Sequence, residues 1–250
     1  MRRKNVTFVL EMEHKTRAIV LRMIKYGEDK YIIDFLTHDL GRESSVWKIS
    51  KGHNAKVVKQ LFQPLAIMDI VVDSSPRKQM SYIKEARLAH VYSSLLFDER
   101  KLALAFFVAE FLVYATRDLH NDNALFDFVE QSLIWLDTTD KGIANFHLMF
   151  MIRMSRFLGF FPDMSSHHQG YIFDLREGRF SGDIPAHKDY LLPEDANKMH
   201  LLMRMTPANL HHFKMTKIER NRVIDFSLLF YRLHIPQFGE MKTLEVLRAL

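Results

Sequence analysis

Cysteine is absent from this chain of 250 residues. That removes disulfides, thiolate zinc sites and cysteine nucleophiles together. No apolar run reaches the roughly 20 residues that cross a bilayer as a helix. The most apolar stretch, Leu102 to Ala115, is shorter and carries Glu110 inside it. Met1 to Glu11 is basic and then briefly apolar over Val6 to Leu10, without the longer apolar core and small-residue cleavage site of a secretory signal. The nucleophile elbow, the Walker loop, the dinucleotide fingerprint and HExxH are all missing. With 13 His and 30 acids, chance constellations are guaranteed, and none has a spacing that a known chemistry demands. The expectation is a soluble, cytoplasmic protein with no positive sign of catalysis.

What is present is an ordinary globular balance, 48% apolar and 26% charged, with 20 Phe and 14 Met for a bulky, adaptable core. The length allows one large or two modest domains. Charge is distributed unevenly. Through residue 80 there are 15 Lys or Arg against 9 Asp or Glu, whereas the remainder holds 20 against 21. A basic excess confined to one module points to a polyanion, because clustered cations gain free energy by releasing counterions from phosphates.

The basic module reads as a small barrel. Arg17 to Met23 is β-rich and ends at the polar turn Tyr26-Gly27-Glu28-Asp29. Lys30 to Thr37 follows, then a turn at His38 to Gly41. Arg42 to Ser50 alternates Val46, Lys48 and Ser50 with Trp47 and Ile49, the period of a strand with two unlike faces. Ala55 to Phe62 then has helical spacing and stops at Pro64. Leu65 to Val72 and Ser81 to Arg87 supply two more strands. Three strands, a helix and two strands is the order of an OB-fold, a five-stranded Greek-key barrel that often binds oligonucleotides. A single strand of nucleic acid needs a cationic groove and aromatic faces. Arg17, Arg22, Lys25, Lys30, Lys48, Lys51, Lys56 and Lys59 offer the charge. Tyr26, Tyr31 and Trp47 offer stacking, or else Tyr31 and Trp47 are barrel core.

From Leu88 the period is helical. Expected helices are Tyr92 to Phe97, Lys101 to Arg117, Ala124 to Leu136 capped by Asn123, and Ile143 to Phe157 stopped by Gly159. Phe161 to Tyr190 reads as a loop-rich lobe with a hairpin formed by Tyr171 to Asp174 and Gly178 to Phe180. Its histidines, His167, His168 and His187, match no zinc spacing. Pro193 to Arg204 and Lys217 to His234 follow, the latter opened by the capping box Thr216 and Glu219, and Met241 to Leu250 ends the chain. The basic stretch Lys214 to Arg222 is either a second nucleic-acid patch or a solvated face. The class is therefore α+β: an N-terminal OB-fold barrel over 12–87 after an extension at 1–11, then a helical domain over 88–250 with a lobe at 161–190 that lacks zinc ligands. A binding module leads, with an RNA-acting barrel and a purely structural adaptor as rivals.

The chain resembles the RecO family of bacterial DNA-repair and recombination-mediator proteins. The resemblance rests on Lys15 to Leu21 with Tyr26-Gly27-Glu28, Thr37 to Gly41, Ser50-Lys51-Gly52, Gln63-Pro64-Leu65, Tyr231 to His234 and Leu244 to Arg248. It implies a protein without a catalytic centre or cofactor that binds single- and double-stranded DNA and anneals complementary strands. It also implies action with RecR to load RecA onto strands coated by single-stranded-DNA-binding protein, in the cytoplasm at the nucleoid. The barrel cations named above would carry the DNA role. The acidic C-terminal tail of the coating protein needs an apolar pocket rimmed by cations, for which Tyr114 and Arg117 are the candidates. Some members bear a four-cysteine zinc lobe where this chain has Phe161 to Tyr190. The stretch after Gly52, often Arg-rich in relatives, here reads His53-Asn54-Ala55-Lys56.

Overall fold

The computed structural model describes residues 13–48, 60–73 and 80–249. The chain divides into two compact units, Met1–Val91 with Asp118–Phe126, and Tyr92–Arg117 with Asp127–Leu250.

In the first unit five strands close a barrel: β1 (Glu13–Tyr26), β2 (Lys30–Thr37), β3 (Gly41–Lys48), β4 (Ile67–Asp73) and β5 (Ser81–Leu88), in the spatial order β1-β2-β3-β5-β4. All pairs are antiparallel except β3 with β5, where Ser45 opposes Ser81 and Val46 opposes Tyr82. A buried hydrogen bond of 3.0 Å between the Ser45 and Ser81 hydroxyls marks that seam. This is the OB arrangement expected from the element order. β1 runs well beyond the expected Arg17 to Met23, because it pairs with β4 over Glu13–Ile19 and with β2 over Ala18–Tyr26. The register shifts between Val20 and Arg22, the signature of a bulge. Of the helix expected at Ala55 to Phe62, residues 55–59 lie outside the described region, and Gln60 and Leu61 are helical. The barrel interior is filled by Ala18, Val20, Tyr31, Ile33, Phe35, Phe62, Met68, Ile70 and Val72, with Trp47 packed against them.

Residues 118–126, which sequence periodicity groups with the helical region, belong to the barrel unit. The reason lies at Gly41, which turns the chain with φ of +70° and has no Cβ. A Cβ there would meet the Asn121 backbone nitrogen at 2.9 Å. The His38 ring meets Phe126 edge-on at 5.5 Å nearby.

The second unit is built on α1 (Glu99–Ala115), buried nearly all round as its composition suggests. Also present are α2 (Asn123–Thr138, from Asp127 onward in this unit), α3 (Phe146–Phe157), α4 (Pro193–Met203), α5 (Lys217–His234) and α6 (Leu244–Ala249). Phe111 of α1 contacts Phe150 of α3 and Tyr231 of α5, and the Tyr231 hydroxyl donates to the Met151 carbonyl at 2.7 Å. Thr216 and Glu219 form the expected capping box. The lobe is a three-stranded sheet in the order β7-β6-β8, with β6 Ile172–Asp174, β7 Arg179–Ser181 and β8 Tyr190–Leu191. The third strand adds to the expected hairpin, and its two residues are too few to leave a periodic signal in the sequence.

Two expectations are corrected. Asp122, not Asn123, caps α2, its carboxylate accepting from the Leu125 N–H at 3.0 Å. The segment Tyr92 to Phe97 is a set of turns, not a helix. Three of its N–H groups are captured from outside. The buried Asp137 carboxylate accepts from the amides of Ser93, Ser94 and Leu95 at 2.7–2.9 Å and from the Ser93 hydroxyl. Asp98 then stands extended and caps α1. Buried Lys101 completes the junction, donating to the Ser94 hydroxyl at 2.7 Å and the Asp137 carbonyl at 2.9 Å.

Burial by itself raises the Asp137 pKa, but the hydrogen bonds from Ser93, Ser94 and Leu95 outweigh it and bring it down to about 2. A folded value below the unfolded one means that ionised Asp137 stabilises above the unfolded pKa, and that this contribution is lost as pH falls toward 2. Asp137→Asn is expected to lower stability at neutral pH and to flatten the acid limb of the stability–pH curve. Denaturant melts across that range measure both, and an unaltered acid limb would refute the assignment. Gly41→Ala is expected to cost about 1–3 kcal/mol in the same melts, from left-handed backbone and a forced shift of the 120–121 segment.

Candidate nucleic-acid interface

Residues opposite one another in adjacent strands share a face of the sheet. Lys25, Tyr31 and Trp47 form one row, on the side that fills the barrel. The next row, on the outer side, is Tyr26, Lys30 and Lys48. Two further outer rows follow: Ile24, Ile32 and Val46, then Arg22, Asp34 and Ser44. Three of the expected cations, Arg22, Lys30 and Lys48, therefore share the outer face of β1–β2–β3 with the exposed ring of Tyr26. Lys25 is exposed near the same hairpin end, on the inward-facing row. Arg17 is elsewhere: it opposes Asp69 of β4, which in turn opposes Arg87 of β5. Lys51, Lys56 and Lys59 lie outside the described residues.

The aromatics separate by burial. Tyr26 is 57% exposed, whereas Tyr31 is 5% exposed within the core and Trp47 lies 5.2 Å from Phe62. Tyr26 is the aromatic exposed on the outer face of β1–β2–β3; Tyr31 lies in the core and Trp47, partly buried, packs against it.

The cations also differ in what holds them. Lys25 and Lys30 make no ion pair among the described residues, and Lys48 has a loose exposed pair with Asp29 at 3.7 Å. Such a pair in water is worth little. Arg17 is bound to Asp69 at 3.2 Å, and Asp69 also holds Arg87 at 3.1 Å. Arg22 is bound to Asp34 at 2.5 Å, and Arg42, a cation of the same face that sequence reasoning does not single out, reaches Asp34 at 3.3 Å. Its signal is modest: one arginine after the Gly41 turn.

At Tyr114 and Arg117, where the tail-docking site is expected, both side chains have neighbours from the chain itself. The Tyr114 ring packs on Phe238 at 5.6 Å and against Gly239, and Arg117 donates to the Gln237 side chain at 3.1 Å. An apolar cleft with a cationic rim occurs elsewhere in the helical unit. Leu104, Ile143, Ile224 and Leu247 line it, and Arg100, Lys217, Arg220 and Arg248 border it. His147 is in its wall with Nδ1 unpartnered, and burial, reinforced by Arg220, drives its pKa down to about 3, so the imidazole is neutral. Two of these rim cations come from the Lys214 to Arg222 stretch. Within that stretch Lys217 donates to the Ala249 carbonyl, Arg220 to the Met215 carbonyl, and Arg222 pairs with Asp195 at 2.6 Å. Those bonds tie α5 to its surroundings.

The lobe histidines have neighbours of their own. His167 stacks on His200 at 3.9 Å, His168 tilts against Tyr171, and His187 lies 3.3 Å from Asp174. Phe173 and Phe180, 4.9 Å apart, provide the lobe's centre.

The fold and this face place the chain among proteins with a five-stranded oligonucleotide-type barrel followed by a helical domain. Comparison with known families narrows that class. The family described as "Recombination protein O N terminal" matches residues 12–92, and "Recombination protein O C terminal" matches residues 96–244. Curated relatives include the DNA repair protein RecO of Phocaeicola vulgatus, 37% identical over 239 residues covering 96% of this chain and 99% of the relative. That of Bacteroides fragilis is 38% identical over 240 residues with the same coverage, and that of Christiangramia forsetii 34% over 239 residues, 94% and 98%. The chain belongs to the recombination protein O (RecO) family of DNA repair proteins. No helix among the described residues is long and apolar enough to cross a membrane.

Reversing Lys30 and Lys48 together to Glu is expected to weaken binding of a single-stranded oligonucleotide and to reduce the salt slope by about 0.7 for each phosphate no longer neutralised. Arg17→Ala, already neutralised by Asp69 on a different face, is expected to change that slope less. Titrations at several salt concentrations decide between them; equal effects would mean that the outer face of β1–β2–β3 has no special role.

Proposed function

We propose that this protein binds single- and double-stranded DNA through its barrel and anneals complementary strands. With RecR it helps load RecA onto single strands coated by single-stranded-DNA-binding protein during recombinational repair at the nucleoid. The proposal gives it no catalytic step. The observation that carries the DNA reading is the outer row of Tyr26, Lys30 and Lys48. An exposed aromatic beside two lysines combines a stacking platform with charge for the backbone. The chain adds cations on either side of the described strands. Residues 49–59, which follow Lys48, and 74–79 hold Lys51, Lys56, Lys59, Arg77 and Lys78 and no acid. Membership of a family whose curated relatives are DNA repair proteins supports the same reading.

The partner contact is assigned to the helical unit. An acidic tail ending in an apolar side chain matches a cleft with Leu104, Ile143, Ile224 and Leu247 inside and Arg100, Lys217, Arg220 and Arg248 around it. That chemistry favours this cleft over the surroundings of Tyr114 and Arg117.

The test is annealing of complementary DNA strands, each precoated with the cognate single-stranded-DNA-binding protein. Faster annealing is expected, and an excess of that partner's tail peptide is expected to suppress it. Arg100→Glu with Lys217→Glu should abolish peptide binding and coated-strand annealing while naked strands still anneal; Arg117→Glu should leave peptide binding unchanged. Naked strands that fail to bind at low salt would defeat the DNA reading and favour an adaptor, and a preference for RNA of equal sequence would favour an RNA-acting barrel.

A further inference from the structure

Asp34 is the one acid among the apolar residues of β2 from Tyr31 to Leu36, and it is 3% exposed. An ionised carboxylate that is buried must be compensated. Here Oδ2 accepts from Arg22 Nε at 2.5 Å and from Arg42 Nη2 at 3.3 Å, and Oδ1 accepts from the Ser44 hydroxyl at 2.6 Å. Burial alone would raise its pKa. The Ser44 bond, with Arg22 and Arg42, outweighs burial and holds it below the usual carboxylate range.

The arginine it grips is not buried with it. The Arg22 side chain is 49% exposed, and among the described residues its side-chain hydrogen bond is made through Nε and not through Nη1 or Nη2. Arg22 is on the face that carries Tyr26, Lys30 and Lys48. A guanidinium anchored by Nε keeps its two terminal nitrogens as a fork, the geometry that bonds a phosphate through two parallel N–H···O contacts. Holding a long side chain in advance removes the entropy cost of ordering it on binding.

We propose that Asp34 is a positioning residue for nucleic-acid binding: it anchors Arg22 through Nε so that the free guanidinium edge takes a backbone phosphate. The inference rests on the DNA-binding reading of the outer β1–β2–β3 face.

Charge and positioning predict opposite outcomes. Asp34→Asn adds one unit of positive charge to the face, so counterion release alone predicts tighter binding of an oligo-dT strand and a salt slope steeper by up to about 0.7. Positioning predicts weaker binding at equal salt, by about 10-fold or more, the worth of one charge-assisted contact. Arg22→Lys preserves the charge and removes the fork on an exposed side chain, so it remains informative if Asp34→Asn unfolds. It is expected to weaken oligo-dT binding by a similar factor with an unchanged slope. In the Asp34→Asn background it is expected to add little. Tighter binding by Asp34→Asn, or native affinity in Arg22→Lys, overturns the inference. If the Lys30 and Lys48 reversals weaken binding while Asp34→Asn strengthens it, the face stands and only the positioning role fails. If those reversals have no effect, the face itself is wrong.

Discussion

One strand has to serve two neighbours, and the bulge in β1 is what allows it. Before Val20 the residues facing the barrel interior are Thr16, Ala18 and Val20; after it Met23 packs on the core, and Arg22, Ile24 and Tyr26 face outward. The inserted residue reverses the parity of the strand. Without it the same sequence would direct Arg22 and Tyr26 inward and expel Met23. Closure of the barrel through β4 and the composition of its outer face thus depend on one local irregularity. The bulge also increases local twist, which lets β1 bend from one partner strand to the other.

The barrel's positive charge is less uniform than its composition suggests. Asp34 and Asp69 each gather two arginines, so the guanidiniums are fixed and partly neutralised, while among the described residues Lys25 and Lys30 make no ion pair and Lys48 makes only a loose one. The two residue types would suit different parts of the proposed DNA binding. Held arginines give geometry, and solvated lysines give counterion release.

The helical unit depends on a polar junction of similar economy. Asp137 and Lys101, both buried, satisfy each other's surroundings through Ser93, Ser94 and Leu95 and so fix where α1 begins against the end of α2. Glu110, the acid inside the most apolar helix, likewise accepts from the Lys242 and Thr243 amides and anchors the approach to α6. With α6 in place, Leu247 and Arg248 complete the cleft that Leu104 and Ile224 begin.

Local chemistry in the chain was enough to determine the order of the five barrel strands, the OB-type barrel, the capping box at Thr216, the buried character of α1 and the confinement of basic charge to the first module. Each follows from periodicity, turn residues or composition within a short window. The site was only half legible, because a side chain's face and partner are settled by strands far away in sequence. Arg17 and Arg22 look equivalent as residues, yet Arg17 meets an acid 52 positions on and Arg22 meets one 12 positions on, on different faces of the barrel. Tyr92 to Phe97 has helical spacing and still forms turns, since Asp137 takes its amides from 42 to 44 positions away. The amino-acid order specified which groups were available. Pairing register, one bulge and the burial of a few carboxylates decided which of them were left to meet a ligand, because hydrogen bonds and charges are satisfied in space and not along the chain.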